Sequence, residues 1–262
     1  MGALQPYIDH GKALGWKKRT INYGLQVLRH MLRLAADEWM DEHGLTWLVR
    51  APKIKLLKED DKREPYPLSW EEQRNLLDHL PPYLAKMSLF KVNTGCRDQE
   101  VCNLLWDWEH EIPELGTSVF IIPANKVKNR MNRLVVLNRV AKALVEEMRG
   151  VHPTHVFSCN GKPLQRMNNR AWREGRKRAG LPQVRVHDLK HTFGRRLRSA
   201  GVSFEDRQDL LGHKSSRITT HYSQAELVNL ITAANRVCDQ ESRKSPALVI
   251  LKNKPRLAVV NN

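Results

Sequence analysis

Between Ala51 and Pro67 the hydrophobic periodicity of this 262-residue chain stops. The run LLKEDDKREPYP (56–67) is dense in charge and holds two prolines, a composition that joins compact units rather than building one. This interruption limits the possible folds more than any other feature, because it leaves a short unit before it and a long one after it. The expected division is a small helical unit over 1–57, a linker over 58–67, a main unit over 68–240 and a tail over 241–262. A hydrophobic fraction of 41% is enough to bury real cores in a chain of this size.

In the short unit, Ile21, Leu25, Leu28, Leu32, Ala35 and Trp39 recur at three- and four-residue spacing, which predicts a helix over 20–43 with Thr20 as cap and Gly44 as stop. Only one shorter segment, near 3–14, precedes it to cover its apolar stripe, so this unit reads as small and incomplete. Lys17, Lys18 and Arg19 form a basic cluster ahead of the helix.

In the long unit, Ser69 and Glu72 form a capping box, and the helix they open should end before Pro81 and Pro82. A second helix is expected over about 83–93, with Leu84, Met87, Phe90 and the stem of Lys91 on one side. Thr94-Gly95 then leads into CRDQEVC, with Arg97 and Glu100 three apart on a short helix. TSVFIIP (117–123) and RLVVL (133–137) are β-rich and joined by a basic connector, which predicts an antiparallel hairpin. Asn138 can cap a helix running to Arg149, and HVFSC (155–159) reads as a short strand closed by Asn160-Gly161. Helices follow at about 164–179, 187–200, 203–211 and 223–237, and 247–251 is a strand-like run in the tail. The fold class is mainly α with a small antiparallel β-sheet.

The charge is uneven. The chain carries 44 Lys and Arg against 28 Asp and Glu, a net charge of +16. Residues 162–222 alone hold 15 basic and 5 acidic residues, a net of +10. Such a block favours a polyanion, with nucleic acid ahead of an anionic membrane, because the chain has no 18-residue apolar run and no lipidation pattern.

The four cysteines (Cys96, Cys102, Cys159, Cys238) form no CxxC pair, and no signal-peptide pattern is present; reduced, buried thiols in the cytoplasm are expected. Neither His187 nor His213 lies in an HxxH or HExxH spacing that would support a metal, and no GxSxG supports a serine nucleophile. The remaining reactive side chains are ones that singly have ordinary readings. An arginine on a short helix is usually a surface residue, but Glu100 one turn on can hold Arg97 inward, where its fork matches two phosphate oxygens. Lys126 and Lys128 are turn residues unless the hairpin brings one to a leaving oxygen. His187 and His213 are, singly, core or helix-start histidines. Tyr222, beside His221, packs its ring unless neighbours activate the hydroxyl as a nucleophile. The ordered conjunction is more specific than any member.

That conjunction resembles the tyrosine recombinases of the phage integrase family. The resemblance rests on Thr94-Gly95-Cys96-Arg97-Asp98-Gln99-Glu100, a hairpin lysine before Arg133-Leu134-Val135-Val136-Leu137, His187-Asp188-Leu189-Lys190-His191, Leu211-Gly212-His213 and Thr220-His221-Tyr222-Ser223. It implies a partial helical core-binding domain followed by a catalytic domain that together close on duplex DNA. It implies Tyr222 as nucleophile forming a 3′-phosphotyrosyl bond, and Arg97, Lys190 and His213 as phosphate ligands. His187 would handle the tyrosine proton, Lys128 would donate to the leaving 5′-oxygen with Lys126 as the alternative, and Glu100 would orient its neighbours. Lys17, Lys18, Arg19, Lys126, Arg130 and Arg195 are the candidate DNA contacts. No cofactor and no metal are implied; a homotetramer on double-stranded DNA, a DNA-bending accessory protein and a cytoplasmic, nucleoid-associated location are. Lysine at 190, where arginine is usual, keeps the charge without the fork. The competing readings are a truncated DNA-binding remnant without recombination activity and a type IB topoisomerase, the latter disfavoured by the HDLK and LGH motifs.

Overall fold

The computed structural model describes residues 2–213 and 224–238. The described residues form two compact units, with the boundary between Glu64 and Pro65.

The first unit contains α1 (Gln5–Ala13) and α2 (Lys18–Asp37). Ile8, Ile21, Leu25 and Ile54 make its buried core. Gly24 lets the two helices approach closely, since a Cβ there would sit 2.1 Å from the Tyr7 hydroxyl. The helix expected to reach residue 43 ends at Asp37 instead. Past that point the chain turns back: Asp41 accepts from the N–H groups of His43 and Leu45, Met40 bridges Thr46, and Leu48 donates to the Ala35 carbonyl. Trp39 fits the helical spacing but packs edge-on against Trp47 within this turn, so local Asp–backbone bonding overrode the periodicity. Residues expected to be linker are held by α2. Buried Asn22 both donates to and accepts from the backbone of Leu57, Lys18 N–H donates to Asp61, and Lys18 Nζ pairs with Asp60.

The second unit begins by strapping itself down. Tyr66 N–H donates to Asp188, and Leu68 N–H donates to the buried Thr192 hydroxyl. Ser69 and Glu72 then form the expected capping box of α3 (Trp70–Asp78). α4 (Pro82–Thr94) and α5 (Asp98–Cys102) follow. The sheet has order β1-β2-β3, with β1 (Glu109–Ile112), β2 (Thr117–Ile122) and β3 (Arg133–Val136) all antiparallel. β2 and β3 match the expected hairpin; β1, the charged run EHEI, was not expected because an edge strand with both middle residues exposed shows no alternation.

Asn138 caps α6 (Arg139–Met148) through the Ala141 N–H. HVFSC is not a strand: His155 and Cys159 make only isolated bridges, to Leu105 and Lys162. The helix expected from 164 is α7 (Arg170–Arg178), started by Asn169, whose side chain accepts from the Trp172 N–H. α8 (Val186–Ser199), α9 (Phe204–Leu211, capped by Ser203) and α10 (Gln224–Arg236) complete the unit. One core gathers Leu84, Phe90, Phe120, Phe157, Trp172 and Leu189; a second joins Val136, Phe193, Leu197 and Leu210 to Leu230 and Ala233 of α10 and to Val237 just after it. Burying each such large side chain contributes about 1.5–3 kcal/mol. The expected tail, 241–262, lies outside the described residues. No helix among the described residues is long and apolar enough to cross a membrane.

Candidate functional site

Two helix C-termini converge to build the site. α4 ends on Gly95, whose φ of 66° reverses the chain and whose missing Cβ leaves room for Phe193, 2.7 Å from where that atom would sit. The reversal delivers Arg97 to the start of α5. Glu100 accepts the Arg97 N–H at 2.7 Å and grips Nη1 at 2.6 Å, so a single carboxylate both caps the helix and aims the guanidinium. Nη2 reaches the Gly212 carbonyl at 3.2 Å. Burial pushes the Glu100 carboxyl up, but the Arg133 charge and the hydrogen bonds from Arg97 outweigh it and hold the group below its ordinary range. Cys96, next to Arg97, is no nucleophile: full burial and the Glu100 charge push its thiol up. All four cysteines are free thiols, with Cys96 and Cys102 buried and Cys159 and Cys238 half-buried.

α9 ends in the same way. Gly212 is left-handed, with φ 58°, and the His213 N–H closes the turn on the Gln208 carbonyl at 2.9 Å. The turn aims His213 into a cleft of about 360 Å³ shared with His187, Lys190, His191, Arg195 and Arg207. His187 and His191, one turn apart on α8, meet edge to face at 4.8 Å. Loss of solvation, with repulsion from His191, Lys91 and Lys190, takes His187 down to about 4. Burial and the charges of Lys190, Arg97 and Arg133 lower His213 as well. Both rings are neutral near pH 7 and able to accept a proton.

Lys190 is 5% exposed, and its ammonium donates to the carbonyls of Gly95, at 2.7 Å, and Leu211. Burial and the neighbouring Arg133 charge bring it down to about 7. Arg97, Lys190, His187 and His213, expected together, are therefore brought together. Tyr222 lies outside the described residues, between His213 and α10.

The hairpin lysines part company. Lys126, at the end of a 3₁₀ turn (Ala124–Lys126), lines a cleft of about 290 Å³ with Glu100, Gln99 and His155. Lys128 and Arg130 are exposed in the connector, Arg130 with φ 54°. In the first unit Lys17 and Arg19 are exposed, whereas Lys18 is paired with Asp60. There a further cleft gathers Arg29, Arg33, Arg50 and Lys53, which come from separate stretches and have no shared motif.

Two buried cations were overlooked as site residues. Lys91 is fully buried, donates to the Cys96 carbonyl at 2.6 Å, and is taken by burial down to about 8. Arg133 is 3% exposed and donates to the Asp209 and Leu210 carbonyls. Both were legible in period alone: Lys91 falls seven residues after Leu84, and Arg133 alternates with Val135 and Leu137 on the inward face.

The family model described as Phage integrase family matches residues 68–227, more than half of the chain. The chain belongs to that family. The integrase of Salmonella phage P22 is 28% identical over 243 residues, covering 88% of this chain and 60% of that protein. Tyrosine recombinase XerA of Thermococcus kodakarensis is 24% identical over 245 residues, covering 88% of this chain and 79% of its own. This family member thus spans about three fifths of the length of the phage P22 relative. Among solved structures, the XerH site-specific recombinase bound to palindromic difH substrate, a post-cleavage complex, shares its fold with a TM-score of 0.57 at 22% identity, over 82% of this chain and 64% of that one.

Proposed function

We propose that this integrase-family chain is a site-specific recombinase that breaks and rejoins duplex DNA through a 3′-phosphotyrosyl intermediate. The observation that carries the reading is the convergence of Arg97, Lys190 and His213 on two adjoining helix C-termini, with neutral His187 in the same cleft. Cations held in a partly dry site neutralise phosphate charge far better than they would in water, and they do so without reorganising.

In this reading the Tyr222 oxygen attacks the scissile phosphorus while His187 takes the hydroxyl proton. Arg97 and the third N–H of Lys190 bind the non-bridging oxygens, and His213 donates to one of them. The bond to the 5′-oxygen breaks as a connector lysine protonates it. Lys128 is favoured by its spacing from β3, and Lys126 by the cleft it shares with Glu100. One phosphodiester is exchanged for another, so ATP has no part. Lys17, Arg19, Arg130 and Arg195 contact the DNA backbone, so that each unit binds the duplex. Strand exchange runs in a homotetramer joining two duplexes, assisted by a DNA-bending protein, in the cytoplasm at the nucleoid.

The test is covalent trapping on a nicked suicide duplex drawn from DNA flanking the gene. The parental chain should give a denaturation-stable protein–DNA adduct, and Tyr222→Phe should give none. Tight, salt-sensitive binding with no adduct would instead mark a recombination-inactive DNA-binding remnant.

A further inference from the structure

Arg133 has no assigned part in this site, yet it joins the two turns that form it. Its Nη1 donates to the Asp209 carbonyl at 2.7 Å and to Leu134 at 2.8 Å; its Nη2 donates to Leu210 at 2.6 Å and, more weakly, to Thr94 at 3.5 Å. One guanidinium thus sits on the last carbonyl of α4 and on two carbonyls of the last turn of α9. Lys190 repeats the pattern one residue further along each chain, on Gly95 and Leu211, and Lys91 takes Cys96. The carbonyls from 94 to 96 and from 209 to 212 are therefore each met by a basic side chain, the last by Arg97 itself.

The physical need is plain. The final carbonyls of a helix have no partner within the helix and carry its partial negative charge, and here two such ends are buried against each other. Water cannot serve them, so a fork with several N–H groups must. Arg133 also fills the space beneath the second turn: a Cβ on Gly212 would lie 2.5 Å from its Cδ and Nε, and that Nε has no hydrogen-bond partner. The guanidinium is placed by the two turns rather than by its own donors alone.

We propose that Arg133 is a positioning residue, which by binding the ends of α4 and α9 on one buried guanidinium sets the separation of Arg97 and His213. The proposal rests on the strand-cleavage reading above. Lysine at 133 keeps the charge and reaches fewer of these carbonyls; methionine keeps the bulk and reaches none.

The experiment compares the parental chain with Arg133→Lys and Arg133→Met in two readouts: single-turnover cleavage of the suicide duplex at saturating protein, and deuterium exchange of the free protein. A displacement of about 1 Å costs on the order of 100-fold, so Arg133→Met should lose about that factor in cleavage rate while duplex affinity changes less than about threefold. Arg133→Lys should recover part of the loss. Exchange in Arg133→Met should quicken at 95–98 and 211–213 and stay unchanged in α6 and β2. Parental cleavage in Arg133→Met, or a loss matching a general rise in exchange, overturns the proposal. If the parental chain itself forms no adduct, the cleavage reading fails, and the exchange pattern decides alone: quickening confined to both turns supports a positioning role, and unchanged exchange at either turn refutes it.

Discussion

Lys190 and Gly95 lie 95 residues apart in sequence, yet the lysine ammonium rests 2.7 Å from the glycine carbonyl. The same ammonium donates to Leu211, so two of its three N–H groups hold the backbone of the site together and one remains for a phosphate oxygen. A lysine in place of the usual arginine is thus a strut with one free donor. The strut is almost completely buried, and that burial, followed by the Arg133 charge, lowers its pKa.

The first prediction follows from that depression. Lys190 is pushed down to about 7, by burial first and then by Arg133, with Glu100 opposing. It is cationic below that value and neutral above it, so the cleft gives up a positive charge between about pH 6 and 8. His187, at about 4, stays neutral across the window, and burial with the surrounding cations lowers His213 as well. Parental DNA affinity should therefore weaken with rising pH by up to about tenfold per unit, and Lys190→Arg should flatten the profile. Fluorescence anisotropy at constant ionic strength measures it; identical slopes for the two proteins would sink the idea. Folding carries the opposite sign. The unfolded chain holds this proton up to about 10.5, so the Lys190 contribution to stability increases as pH rises from about 7 toward that value.

Glu100→Gln isolates the charge that aims Arg97. The folded carboxyl lies below 4.5, so its stabilisation is present above that pH and disappears as pH falls through the folded value. At pH 7 the substitution should destabilise by about 1–3 kcal/mol and slow adduct formation, because Arg97 keeps a weaker neutral partner. In urea unfolding at stepped pH, the gap between parent and variant should close on the acid side. A gap that stays constant down to acid pH would show that shape, not charge, is what Glu100 supplies.

The elements that were legible in the sequence are those with local causes. Ser69 with Glu72, and Asn138, each act within one turn, and the starts of α3 and α6 fall where they point. The same holds for Arg97 with Glu100. The misjudged elements depend on distant partners. α2 stops at Asp37 because Asp41 ties down the turn that follows and Leu48 returns to Ala35, and β1 exists because β2 lends it an edge. Arg133 looks like an ordinary strand residue until α4 and α9 arrive from 39 and 77 positions away. Periodicity puts it on the inner face but does not say that carbonyls await it there.

Thr192 offers a test of the strap that opens the second unit. Its hydroxyl accepts from the Leu68 N–H at 3.0 Å and donates to the Asp188 carbonyl at 2.8 Å, fully buried. Thr192→Val keeps the volume and strands a buried N–H, which should cost about 1–3 kcal/mol. Exchange of the Leu68 amide should quicken more than that of α6. A variant as stable as the parent would mean that the strap contributes nothing to holding α3 on α8.

Salt dependence separates cations that face DNA from cations that face the protein. Residues 162–222 hold 15 basic and 5 acidic residues, and a protein that engages about six phosphates gives a log–log slope near −5. Arg195 lines the cleft and should account for one of those contacts, so Arg195→Ala should make the slope shallower by about 0.9. Exposed Lys17 and Arg19 should each do the same. Lys18 should not, because its ammonium is already paired with Asp60 within the first unit. Titrations of each variant between 50 and 200 mM salt, the range over which such contacts are read out, test this directly. A Lys18→Ala slope shifted as far as that of Arg195→Ala would show that DNA displaces Asp60 and that the pairing does not shield the lysine.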